Sequence, residues 1–501
     1  MVYPNLGPIP PIKQKLFVLK DQHALKAKSL LLVTMQLGLF VLPAVPPCSA
    51  AENRPETTTT TTTTTTIATS TSTATAEAAA ERTLSYVNRA ILLQLIKLAR
   101  FNIRFHQEAN RHQKWRTYAY ASGREAGTAV SLASSLIDLK QRIRGLDDPS
   151  LISRNAQKNA VITSLIGNSI SGSASGLELA QNSFMMLRAR KLGYSPGDSL
   201  AFVKKIVETT DALFTERAQI IQRSTINLEA RQDFYSLEER LMRRIRQQLL
   251  FEFCNWSCHS RDLAWRENIF YSLDALQNYT RVSASIVALK GFSQPNLGGA
   301  VAISTVVANS TATINPLLAS LVGLTLRKYQ HRKLAHELQI ERPANADFSL
   351  VDLAMNSKDL PEETESKLLQ EVAVLGDQSE RLDRALDREN GDIERYRRVA
   401  QQQTIAGPLI GLTSIPGAVL GTLAFYNYQD NRDATNKMLF AGRLSTLSGQ
   451  TYALIQTPAT IIAGAIKARK LKKTGQHPAQ LLDARLKNLA ILEEKLRMTA
   501  P

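Results

Sequence analysis

The chain has 501 residues, 44% hydrophobic and 21% charged, with a formal net charge of +17. That balance supports a folded core in several ordinary domains and excludes wholesale disorder. Three cysteines exclude a disulfide scaffold and a multi-thiolate zinc protein. Aromatics at 6%, beside abundant Ala, Ser, Thr and Leu, favour helices packed through small side chains over sheet. The predicted fold class is therefore all-α, built from long helical hairpins.

The N-terminus has the pattern of a secretory leader. Lys13, Lys15, Lys20, Lys26 and Lys28 precede an apolar run from Leu30 to Val45, which at about 16 residues is short of the ~20 of a bilayer span. Small residues follow in Pro46-Pro47-Cys48-Ser49-Ala50-Ala51, so residues 1–50 are expected to be a signal peptide. An uncleaved signal anchor is the alternative. Pro47 directly before Cys48 argues against a lipoprotein site. Residues 51–80 contain ten consecutive threonines, Thr57 to Thr66, and read as a disordered tether.

Residues 81–260 are expected to form a first helical hairpin unit. Val87, Ile91, Leu95, Leu98 and Ile103 line one face at a period near 3.6, with Leu92 and Phe105 beside it. Gly123/Gly127 and Gly172/Gly176 each form Gly-x-x-x-Gly, a spacing that lets helix backbones approach closely. Further on, Leu237, Leu241, Ile245 and Leu249 recur every four residues among arginines. Cys254 and Cys258 bracket Asn255-Trp256-Ser257, with His259 following. In an exported chain one disulfide between them is expected, at a helix end or turn, because four-residue spacing is awkward inside a regular helix, and two buried free thiols are the alternative. The same residues resemble a c-type haem attachment motif with one intervening residue too many.

A second unit is expected over 261–345, an acidic heptad-like segment over 346–403, and a third hairpin unit over 404–501. The acidic segment keeps Leu368, Val372, Leu375, Leu382, Leu386 and Ile393 in heptad register, broken at Ser379 and Glu389. Four runs carry no charged side chain: Asn159–Leu177, Gly291–Leu326, Thr404–Tyr428 and Leu444–Ile466. The third contains the tandem pairs Gly407/Gly411 and Gly417/Gly421. These eight glycines are the predicted helix-packing sites, in membrane helices or in tight soluble hairpins.

The small-residue helices form a weak repeat. Three of them exit into Arg-Lys-Leu, at Arg190-Lys191, Arg332-Lys333 and Arg469-Lys470. These six residues are expected to be basic collars, suited to an anionic headgroup layer or to an acidic partner helix.

Little here points to chemistry. His106 and His112 flank Glu108 at the wrong spacing for a metalloprotease helix, and Asp387–Glu394 fails the calcium-loop ladder. No nucleophile elbow, phosphate loop or dinucleotide fingerprint occurs. No catalytic, metal or cofactor site is predicted. The expectation is a non-enzymatic exported envelope protein that associates with a membrane, or scaffolds an envelope partner, through helical hairpins. Self-association fits as well, and nucleic acid does not. The alternatives are a pore- or transport-like assembly of the uncharged helices, and a soluble exported interaction protein.

Overall fold

A computed structural model describes residues 73–110, 113–223, 229–340, 391, 395, 398–399, 406–428 and 430–498. The expected signal peptide, the threonine run and all but a few positions of the expected acidic heptad-like segment lie outside them. The described residues form nine α-helices and no strand. They are α1 (Thr73–Asn110), α2 (Gln113–Asp147), α3 (Arg154–Lys191), α4 (Pro196–Arg223), α5 (Glu229–Gly291), α6 (Gly298–Glu337), α7 (Ala406–Asn427), α8 (Arg432–Lys473) and α9 (Pro478–Met498). Two predicted borders move. Residues 73–80 of the expected tether are the first turns of α1, and the border at 260/261 falls inside the continuous 63-residue α5.

Local sequence sets the helix ends. The Ser153 and Asn431 side chains accept from the Ala156 and Ala434 amides, capping α3 and α8. Pro196 and Pro478 open α4 and α9, where a missing amide costs nothing. The helices α3, α6 and α8 end alike. Each is followed by one residue of positive φ, Gly193, Gln339 or Gly475. The next amide then bonds back five residues: Tyr194 to Ala189, Ile340 to Ala335 and Gln476 to Leu471, at 2.9–3.0 Å. Pro316, Pro416 and Pro458 lie inside helices that continue through them.

The helices divide between two lobes of opposite character. The first joins α1, α4, the N-terminal half of α5 and α9 around an ordinary apolar core. Val87, Ile91, Leu95, Leu98 and Ile103 are all at most 3% exposed, packed against Phe214, Leu250, Phe253 and Leu489. Phe101 and Phe202 stack at 4.4 Å within an aromatic cluster completed by Phe105, Phe253 and Tyr194. One guanidinium is fully buried here. Arg217 donates to Asn88 Oδ1, Glu238, Glu239 and the Tyr235 carbonyl, each at 2.8–2.9 Å.

His106 ends this core. It stacks on Trp256 at 4.4 Å, and burial, with repulsion from His259, pushes its pKa down to about 4. The unfolded imidazole, titrating near 6.5, then binds a proton that the folded one refuses. Stability is accordingly expected to be full above pH 6.5 and to fall by about 3 kcal/mol as pH drops to 4. In His106→Gln, denaturant titrations across that window should lose most of this slope.

The second lobe contains α2, α3, the C-terminal half of α5, α6, α7 and α8. Each helix packs on two neighbours in the order α2–α3–α5–α6–α7–α8, and α8 returns to α2, so the six close into a ring. The ring is three antiparallel hairpins, α2/α3, α5/α6 and α7/α8. The C-termini of α3, α6 and α8 all point toward the first lobe: α3 and α8 lead directly into its helices α4 and α9, and Leu338, just past α6, joins its core.

Candidate functional site

The ring's seams are made of small residues. A Cβ at Gly127 would lie 2.6 Å from the Gly167 carbonyl, bringing α2 against α3. One at Gly411 would meet Thr313 backbone at 2.9 Å between α7 and α6, and one at Gly417 the Gly442 carbonyl at 2.4 Å between α7 and α8. In three of the four predicted pairs one glycine carries the close approach, and in Gly172/Gly176 neither does. Gly123, Gly172, Gly176 and Gly421 leave 3.3–3.8 Å, room for an alanine methyl with little or no adjustment. Gly407 falls in the first turn of α7. The sequence pattern does not reveal Gly167, Gly442 or Gly323, because none of them has a second glycine four residues away. At Gly323 the close neighbour is the Asp262 side chain of α5.

Inside the ring lies a series of polar contacts. Its centre is the fully buried Asp274 of α5. Asp274 accepts from Tyr120 Oη of α2 at 2.9 Å and Ser175 Oγ of α3 at 2.5 Å, and pairs with Arg124 Nη2 of α2 at 3.2 Å. One turn on, Asn278 Nδ2 donates to the Asp274 carbonyl at 2.8 Å. Two turns on, Arg281 Nη2 donates to Asn309 Oδ1 of α6 at 2.8 Å, and Asn309 Nδ2 donates to the Ser414 carbonyl of α7 at 3.0 Å. Toward the first lobe, Arg116 pairs with Glu178 at 2.6 Å and donates to Asn182 Oδ1. At the hairpin tips, Arg443 of α8 donates to Asp138 of α2 at 2.5 Å, and Asn436 Nδ2 to the Arg142 carbonyl at 3.1 Å. Every seam of the ring is thus crossed by small residues, polar contacts or both.

The sequence held one unread sign of this network. Glu267, Asp274 and Arg281 recur every seven residues, which places one charge per two turns on a single face of α5. All three are buried or partly buried.

The outer surface of the ring is apolar. Ile166 of α3 is 50% exposed, Leu321 of α6 60%, Leu412 of α7 52% and Ile455 of α8 67%. Ile162, Ile314, Leu317, Leu324, Leu409, Ile462 and Ile466 are exposed on the same helices. Among the described residues one helix, Gly298–Glu337, is long and apolar enough by its mean hydropathy to cross a membrane, and 28% of its most apolar window is buried.

Cys254 and Cys258 require a correction. They carry free thiols, both fully buried one turn apart on the unbroken α5, packed against Leu334. No helix end or turn falls there to bring the sulfurs into a bridge. Hydrogen bonding between the two, with burial, pushes the Cys254 thiol up. The predicted collar residues Arg190, Lys191, Arg332, Lys333, Arg469 and Lys470 are all exposed, on the last turns of three helices that point the same way. Among the described residues no three His, Cys, Asp or Glu side chains are grouped to hold a metal ion.

Fold and interior together define an all-α hairpin ring with its polarity turned inward. No family model, curated protein or solved structure matches the chain.

Proposed function

We propose that the chain is a non-enzymatic envelope protein whose six-helix ring sits in a membrane, with the first lobe held at one end. The reading rests on one observation: in the ring, Leu and Ile point outward while Asp274 is buried and Arg124 and Arg281 are partly buried. A bundle in water buries its large aliphatics, as the first lobe does. Lipid rewards the reverse, and a broad exposed apolar surface marks an interaction site. The uncharged windows have suitable lengths. Asn159–Leu177 is about 28 Å at 1.5 Å per residue, near the ~30 Å of a hydrocarbon core. Seams of small residues joined by polar contacts are how helices associate where no hydrophobic force draws them together. The leader pattern over residues 1–50 supports delivery to an envelope.

The chain is expected to remain with membranes through high-salt and alkaline carbonate washes. Leu321→Arg places a charge on the outer face of α6, costs roughly 2.5–3.5 kcal/mol on insertion scales, and should lower the retained fraction. Full release of the unaltered chain by carbonate would overturn the reading in favour of a soluble partner covering the same surface. Ring closure around a polar interior favours a second reading, an ion or solute path. Reconstituted vesicles that show no flux would remove that second reading alone.

A further inference from the structure

An open groove runs along the outer face of α8. Its floor is Tyr452, Ile455, Ala459 and Ala463 with Gln456 and Thr460 beside them, and its far wall is Arg395 and Val399. The floor residues follow helical spacing, so the stripe continues at Lys470, seven residues beyond Ala463 and on the same face. From Tyr452 to Ala463 the groove is about 17 Å long. It is largely apolar along its floor and cationic at Arg395, and about 10 Å beyond Ala463 the same helix carries the collar of Arg469, Lys470, Lys472 and Lys473, all exposed. The same transition recurs on the parallel helices. Exposed Leu187 precedes Arg190 and Lys191 on α3, and exposed Leu324 precedes Arg327 and Lys328 on α6. Apolar surface giving way to cations toward the same end of three helices matches the border between acyl chains and headgroups.

We propose that this groove holds one anionic phospholipid, its acyl chain along Ile455, Ala459 and Ala463 and its phosphate between Arg395 and Lys470. The proposal rests on the membrane reading above and adds the lipid class. Charge complementarity selects the occupant, because a cation in the wall of a largely apolar slot, with a second further along the same face of α8, favours a phosphate that carries net charge over a zwitterionic headgroup. Each basic residue at a lipid surface strengthens such binding by roughly fivefold.

The test uses the full chain purified in a neutral detergent, with dioleoylphosphatidylglycerol or dioleoylphosphatidylcholine added at equal concentration and bound lipid counted by native mass spectrometry. One tightly held phosphatidylglycerol is expected, with phosphatidylcholine at background. Arg395→Gln with Lys470→Gln should weaken phosphatidylglycerol binding by about 30-fold. Ala463→Trp, which fills the slot and leaves both cations, should weaken it as well. The proposal is overturned if phosphatidylcholine binds equally, if the double variant binds as the original does, or if inorganic phosphate displaces the lipid while Ala463→Trp has no effect. The last result would mean a phosphate site without an acyl slot. Carbonate extraction of the same preparation separates the two readings: a retained chain that holds no phosphatidylglycerol sinks this proposal alone, and a released chain sinks the membrane reading first.

Discussion

Asp274→Ala is expected to remove about 3–5 kcal/mol from unfolding, the typical consequence of stripping one partner from a buried ion pair. The carboxylate is fully buried and accepts from Tyr120 and Ser175 while facing the Arg124 guanidinium. Its loss orphans a phenol and a hydroxyl and leaves two cations, Arg124 and Arg281, without the anion that offsets them. Asp274→Asn retains acceptors but not the charge and should fall between. Denaturant unfolding in detergent, followed by circular dichroism, measures the loss. Combining Asp274→Ala with Arg124→Met should recover a large part of it, because the uncompensated charge leaves with its partner. If the two losses simply add, Arg124 and Asp274 do not act as a pair.

The second large effect belongs to a backbone contact. In Gly417→Ala the new methyl would lie 2.4 Å from the Gly442 carbonyl, and a carbonyl cannot swing aside as a flexible side chain does. The helices α7 and α8 must separate, and a cost toward the upper end of the 1–3 kcal/mol of overpacking is expected. Gly421→Ala is the control. Its methyl meets only the tip of Leu439 at 3.8 Å, and alanine's better helix propensity should stabilise by up to ~1 kcal/mol. Opposite signs four residues apart, read as shifts in thermal unfolding, test the seam directly. Equal effects at the two positions would mean that α7 does not approach α8 through Gly417.

The all-α class was legible because helical period is a local property. The face of Val87, Ile91, Leu95, Leu98 and Ile103 was visible in the sequence and is the buried face of α1. The glycine spacings pointed to close approach, and Gly127, Gly411 and Gly417 make it. Which glycine of each pair does so depends on rotation against a second helix, and no single helix encodes that. The polar centre was harder still. Asp274 reads as one more charge on a long helix, and it becomes a hub only because α2 and α3 bring Tyr120, Arg124 and Ser175 to it. The cysteines misled for a related reason. Their spacing suggests a break, whereas α5 runs through them, since the neighbouring sequence contains neither glycine nor proline.

Ring closure also sets an order of events during synthesis. The seam between α8 and α2 joins Arg443 to Asp138 and Asn436 to Arg142, groups 305 and 294 residues apart. The hairpin α2/α3 therefore leaves the ribosome long before its second neighbour exists. Until α8 arrives, Asp138 lacks the guanidinium of Arg443, on a helix already packed on α3. Contacts so distant along the chain form slowly, because a long loop must be ordered before they return anything. The first hairpin must therefore wait, half-assembled, for the last, and the edge it presents meanwhile is its polar one. A chain stopped before Arg432 would expose that edge permanently, which makes the third hairpin the clasp of the structure.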